Sequence, residues 1–209
     1  MAMEKRPLGE QSGALVAKAP RVEEGAVVSH GGSTPLSLAA PQRTSELLAP
    51  IMLLSGHTGA VLTSKFSPNG QHLLSGSHDK LVLLWEVFGE CRNLLTFRGH
   101  TNAVLELHWS ADGENAFTAS ADKTVALWDA KTAGRTRQFK GHSSYVNSCC
   151  PARESPLLAT GSDDRTVRLW DTRARACQRT IEHKWPVTSV SMGHQGKHLY
   201  AGGLDGNIR

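Results

Sequence analysis

The chain has 209 residues, 39% apolar and 20% charged, enough apolar material for a folded core and too much for disorder throughout. Lys and Arg outnumber Asp and Glu by 23 to 19, and a net charge of +4 falls short of the dense positive field of a dedicated nucleic-acid binder. The longest apolar run, Leu81 to Trp85, is far too short for a membrane helix, and no charged start with apolar core and small-residue cleavage site marks a secretory signal. The four cysteines (Cys91, Cys149, Cys150, Cys177) lack metal-ligand spacing, and two of them are adjacent. The expectation is a reduced, intracellular protein with no metal and no other cofactor.

Residues 1–50 contain no aromatic residue but five of the nine prolines, and their charges cancel. Such a segment cannot bury enough apolar surface to offset its ordering entropy, so a disordered Pro/Ala-rich tail is expected over residues 1–48. Lys5–Arg6 and Lys18…Arg21 read either as a weak nuclear import signal or as scattered solvated charge.

From residue 49 the chain repeats. Gly-His occurs at Gly56-His57, Gly99-His100 and Gly141-His142, and Trp followed by an acid at Trp85-Glu86, Trp128-Asp129 and Trp170-Asp171. Each histidine precedes its tryptophan by 28 residues, successive histidines lie 43 and 42 apart, and Asp79, Asp122 and Asp164 each stand six residues before a tryptophan. A fourth unit begins at His183 and carries Asp205, but its tryptophan position would lie beyond Arg209. In the first unit Val61–Phe66, Leu73–Ser77, Val82–Glu86 and Leu94–Phe97 read as strands. Pro68-Asn69-Gly70 marks a turn, as Ala111-Asp112-Gly113 does in the second unit.

Four short strands per period, bracketed by Gly-His and Trp-Asp, resemble the blades of the WD-repeat β-propeller family, over about three quarters of the chain. The fold expected is therefore all-β: three complete blades (about 55–97, 98–139 and 140–181) and a partial fourth (182–209). They form an incomplete ring spanning residues 49–209. Propellers of this family usually have seven blades, with an N-terminal outer strand closing the ring; Ile51–Leu54 occupies that place. The chain is accordingly expected to be a truncated isoform or gene-model fragment with exposed apolar edges, the competing expectation being a half-propeller that dimerises into a closed ring.

The resemblance implies a hydrogen-bonded chain in every blade: His57–Asp79–Trp85, His100–Asp122–Trp128 and His142–Asp164–Trp170. The linking hydroxyl would come from Ser75 or Ser77, Thr118 or Ser120, and Thr160 or Ser162. Residues two apart share a strand face, so spacing does not choose within a pair. A Ser/His/Asp set also suggests a hydrolase triad, but catalysis needs one activated nucleophile in one cleft, and a set repeated at identical spacing marks scaffolding. No nucleophile elbow, Walker loop or dinucleotide fingerprint occurs, and no enzyme is expected. His30, His72, His78, His108, His194 and His198 form no ligand set. Arg165, Arg168, Arg173, Arg175 and Arg179 suit either nucleic acid or the charged edge of a blade. In the fourth unit Glu182 replaces the glycine, and Ala201 and Gly203 replace the hydroxyls, so an incomplete network is expected there.

Members of the family commonly bind partners through residues three and five after the loop histidine and the residue before the turn aspartate. Here these are Ala60, Leu62 and His78; Ala103, Leu105 and Ala121; and Tyr145, Asn147 and Asp163, with Tyr145 the foremost contact. Three non-framework stretches (Ala49–His57, Phe88–Cys91 and Tyr145–Arg153) resemble the U5 small nuclear ribonucleoprotein branch of the family. That resemblance implies a nuclear splicing scaffold that binds the large U5 core splicing factor and other U5 subunits, touches RNA only indirectly and meets no membrane. The alternative is an adaptor or substrate receptor of another nuclear complex, in ubiquitin ligation or chromatin.

Overall fold

The computed structural model describes residues 51–174 and 176–209. The expected tail, with its two basic pairs and His30, lies outside them. Among the described residues there is no helix; fourteen antiparallel strands make three four-stranded sheets and one two-stranded sheet, without a closed ring. The first sheet is β1 (Val61–Phe66), β2 (His72–Ser77), β3 (Val82–Glu86) and β4 (Asn93–Phe97). The second is β5 (Val104–Trp109), β6 (Asn115–Ser120), β7 (Thr124–Asp129) and β8 (Arg135–Lys140). The third is β9 (Val146–Pro151), β10 (Leu157–Ser162), β11 (Thr166–Asp171) and β12 (Cys177–Glu182), and β13 (Val187–Met192) with β14 (Leu199–Gly203) makes the fourth. Each sheet is a meander in chain order, so every connection is local.

The first-unit strands agree with the alternation in the sequence, two of them starting one residue earlier, at His72 and Asn93. Gly70, Gly113 and Gly196 adopt φ of 73°, 74° and 71°, the left-handed conformation that closes the turns after β1, β5 and β13. Ile51–Leu54, expected as an outer strand closing the ring against the last blade, forms none: it pairs with no strand of the four sheets, and Ile51 and Leu53 are 87% and 89% exposed.

The core lies between sheets, as each buries its faces on its neighbours. Leu74, Leu84 and Phe97 from the first sheet pack on Leu107, Ala126 and Trp128 from the second. Phe117 and Phe139 repeat this against Leu158 and Trp170, and Ala159 and Val167 against Val187 and Val190. An outer-strand phenylalanine meets the next sheet's tryptophan each time: Phe97 stands edge-on to Trp128 at 5.8 Å, and Phe139 lies 5.6 Å from Trp170. The inner strands β1, β5, β9 and β13 lie side by side. Polar groups stitch their seams: Glu106 accepts from the Cys149 amide at 2.9 Å, and Ser148 from the Val190 amide at 2.9 Å.

Candidate functional site

The repeated residues converge at the ends of the sheets where β1, β5 and β9 begin. In the second unit Trp128 Nε1 donates to Thr118 Oγ1 at 2.8 Å, Thr118 Oγ1 stands 2.7 Å from His100 Nε2, and His100 Nδ1 stands 2.7 Å from Asp122 Oδ2. With a neutral imidazole and an ionised carboxylate, one arrangement of protons satisfies all three contacts. The indole N–H has no acceptor role, so the threonine hydroxyl gives its own proton to Nε2, and Nδ1–H goes to the carboxylate. The first unit matches through Ser75 (2.8 Å to Trp85 Nε1, 2.8 Å to His57 Nε2), with His57 Nδ1 2.9 Å from Asp79. The third matches through Thr160 (3.0 Å to Trp170 Nε1, 2.8 Å to His142 Nε2), with His142 Nδ1 2.8 Å from Asp164.

The choice within each hydroxyl pair is thereby made. The first member joins the histidine to the tryptophan. The second bonds elsewhere, as Ser77, Ser120 and Ser162 accept from the amides of Asp79, Asp122 and Asp164 at 3.0–3.1 Å. Those aspartates cap the turn between the second and third strands. Their oxygens take the amides of Thr58, Thr101 and Ser143 on one side and of Leu81, Thr124 and Thr166 on the other. Between them Lys80, Lys123 and Arg165 are held at φ of 72°, 70° and 66°, an uncommon conformation for residues with a Cβ. Gly206 follows Asp205 at φ 73° in the fourth unit.

The electrostatics follow the geometry. Burial opposes the charge on Asp122, but the His100 and Thr124 donors overcome it and hold its carboxyl well below the ordinary carboxylate range. Asp164 is brought down to about 2 the same way, burial being outweighed by Thr166 and His142. Burial pushes the His142 imidazole down and so favours its neutral form, although Asp164 pulls the other way. Chemically the arrangement is closed. Thr118 and Thr160 are 0% exposed, and their oxygens already bind an indole, so neither hydroxyl is open to a substrate.

The fourth unit departs as its sequence implies. With Ala201 in place of a hydroxyl, His183 turns to the Trp185 carbonyl (3.0 Å from Nδ1), and Arg209 donates to its Nε2 at 2.8 Å. Arg209 also pairs with Asp205 at 2.6 Å, which holds that carboxyl at about 2.

The residues expected on the partner face share the same end of the sheets. His78, Ala121 and Asp163 donate their amides to the carbonyls of Ala60, Ala103 and Tyr145 at 2.9–3.0 Å, so members of each set are neighbours. Leu62 and Leu105 sit on β-bulges, where two inner-strand residues oppose one of the next strand, and Asn147 sits on the same irregularity in β9. Alternation alone does not show these bulges. Exposure divides the set: Ala60, Leu62, His78, Tyr145 and Asp163 are exposed, Leu105 and Asn147 half-buried, and Ala103 and Ala121 buried at 4% and 8%. Both alanines stand next to fully buried strand residues, Ala103 before Val104 and Ala121 after Ser120. Asn147 instead bridges sheets, donating to Asp163 at 2.6 Å and to the Val187 carbonyl at 2.9 Å.

The remaining polar groups are dispersed. Among the described residues no three metal-ligating side chains come together, and no helix is long and apolar enough to cross a membrane. His108 pairs with Glu106 at 3.5 Å, His194 with Glu154 at 3.1 Å, and Arg173 with Asp171 at 3.0 Å on the exposed side of the third sheet.

Comparison with known proteins agrees with this geometry. The chain is 50% identical over 167 residues to the U5 small nuclear ribonucleoprotein 40 kDa protein of Mus musculus (79% of this chain, 47% of that protein). It is 45% identical over 184 residues to the Dictyostelium discoideum protein of the same name (88% and 52%). Against the pre-mRNA-splicing factor cwf17 of Schizosaccharomyces pombe it is 36% identical over 210 residues (99% and 59%). The chain thus spans about half the length of the curated relatives it matches. The family described as WD domain, G-beta repeat matches residues 48–86, 91–129, 134–171 and 175–209, each match ending at or beyond the third-strand position except the last, which runs to Arg209. Its phase is one strand earlier than the sheets, since a match joins the outer strand of one sheet to the inner strands of the next. With matched repeats over most of its length and the same hydrogen-bonded chain in three successive sheets, the chain belongs to the WD-repeat family.

Proposed function

We propose that the chain is a non-catalytic protein-interaction scaffold of the U5 small nuclear ribonucleoprotein, acting in pre-mRNA splicing in the nucleus. The observation that carries this reading is the extent of identity. Half of 167 aligned positions is several times what the repeated Gly, His, hydroxyl, Asp and Trp residues supply, so the likeness to the U5 proteins reaches the residues that distinguish one WD-repeat protein from another. A tail over 1–48 followed by blades over 49–209 is the domain division that goes with it.

Its partners are proteins, foremost the large U5 core splicing factor, and RNA is reached through them. The exposed members of the partner set (Ala60, Leu62, His78, Tyr145 and Asp163) support a docking face at the bulged ends of the inner strands. Tyr145, 48% exposed, offers aromatic contact area at small entropic cost. Retention of U5 RNA by the tagged chain from nuclear extract tests the assignment. Enrichment of U5 over other spliceosomal RNAs supports it, and equal or absent enrichment refutes it.

A further inference from the structure

The inner strands have a second end, away from the proposed docking face. There a groove of about 430 Å³ runs over the ends of β1, β5, β9 and β13. Its apolar floor is Phe66, Trp109 and Met192, with Phe66 63% exposed. The indole is fixed in place, because Trp109 Nε1 donates to the Lys65 carbonyl at 3.0 Å across the seam between the first two sheets. Trp109, which lies off the repeat spacing, thus packs against the core between the first two sheets and also lines the groove.

Two cations flank the floor. Lys65 and Arg153 are exposed, and neither has an ion-pair partner among the described residues. Both lie near enough to act electrostatically on the Cys150 thiol, which places them at the same opening. No aspartate or glutamate lines the groove, and Glu106 beside it accepts from the Cys149 amide at 2.9 Å and stands 3.5 Å from His108. The lining of the groove therefore carries two cations and no carboxylate around an apolar, partly aromatic base.

We propose that this groove binds a short acidic peptide segment in which apolar residues are flanked by carboxylates. The apolar side chains cover Phe66, Trp109 and Met192, and the carboxylates pair with Lys65 and Arg153, where exclusion of water by the floor strengthens both contacts. A nucleic-acid strand brings a phosphate with every nucleotide and gains most from a row of cations, whereas two cations beside an apolar base suit a peptide. The site is independent of the U5 assignment.

The test is fluorescence anisotropy with the full 209-residue chain and a dye-labelled twelve-residue peptide, a Leu-Phe pair between runs of aspartate and glutamate. Saturable binding is expected, weakened about tenfold or more by Lys65→Glu with Arg153→Glu and reduced by added salt. Phe66→Ser weakens it as well, while Tyr145→Ala, at the other end of the strands, leaves it unchanged. Both charge changes are at exposed positions, and an unaltered far-ultraviolet circular dichroism spectrum verifies the fold of each variant. Absence of saturable binding, indifference to the double charge reversal, or tighter binding of a twelve-nucleotide oligouridylate in its place overturns the proposal.

Discussion

Leu81 stands in the first unit where Thr124 stands in the second, and the exchange removes one hydrogen bond from the turn aspartate. Thr124 Oγ1 donates to Asp122 at 2.6 Å, and Thr166 Oγ1 to Asp164 at 2.6 Å, whereas Asp79 receives only the Leu81 amide from this position, at 3.0 Å. Leu81→Thr is expected to restore the missing bond on a half-buried strand edge. A gain of about 0.5–1.5 kcal/mol should appear in urea denaturation at neutral pH. A loss would show that the leucine contributes more by packing than the hydroxyl does by bonding.

Thr118 joins a buried indole donor and a buried imidazole nitrogen through a single oxygen. Thr118→Val keeps the shape but strands Trp128 Nε1 and His100 Nε2, at a cost of about 1–3 kcal/mol for each unpaired group. Asp122→Ala removes the acceptor for His100 and for the amides of Thr101 and Thr124, and is expected to cost about 1–3 kcal/mol. Calorimetric melting of the two single variants and the double variant measures their coupling. Strongly non-additive losses are expected, because the groups form one chain.

Stability should fall in two steps as pH decreases. His142 has a folded-state pKa below its ordinary 6.5, so its contribution is complete above that value and declines as the unfolded chain takes up the proton first. Asp164, at about 2 against an ordinary 3.8, contributes fully above the higher value and loses its contribution as pH falls through the lower one. With solvent screening allowed for, that loss is about 1–2 kcal/mol. Asp122 adds to the second step in the same direction. Midpoints of urea unfolding between pH 7 and 2 give the profile, and Asp164→Asn should shrink the acid step and enlarge the first, because the upward pull of the carboxylate on His142 is lost.

Much of this architecture is legible in the sequence because the framework is periodic. Turn residues and alternating side chains place strands such as Val61–Phe66 and Val82–Glu86 directly, and the family resemblance carried by the 28-residue interval from histidine to tryptophan implies that both lie on one hydrogen-bonded chain. What it leaves open depends on register. Ser75 and Ser77 share a strand face, and only the pairing of β2 with its neighbours makes one the link to Trp85 and the other the acceptor for the Asp79 amide. The bulges at Leu62 and Leu105 likewise add a residue that alternation does not register. Ala103 and Ala121 satisfy the spacing for the partner face yet are buried, since spacing fixes position along a strand and not the depth to which a neighbouring sheet covers it. The groove beside Trp109 involves four sheets at once, and no local pattern encodes it.

The claim that the chain binds U5 proteins directly, through the bulged end of its sheets, is tested by affinity capture from nuclear extract treated with ribonuclease. Tagged wild-type chain, Tyr145→Ala and Leu62→Asp are compared, and bound proteins are quantified by mass spectrometry. The expected result is that the large U5 core splicing factor remains on the wild-type chain after the RNA is destroyed and falls about tenfold or more on both variants. Release of U5 proteins by ribonuclease alone, or equal capture by all three chains, would contradict it.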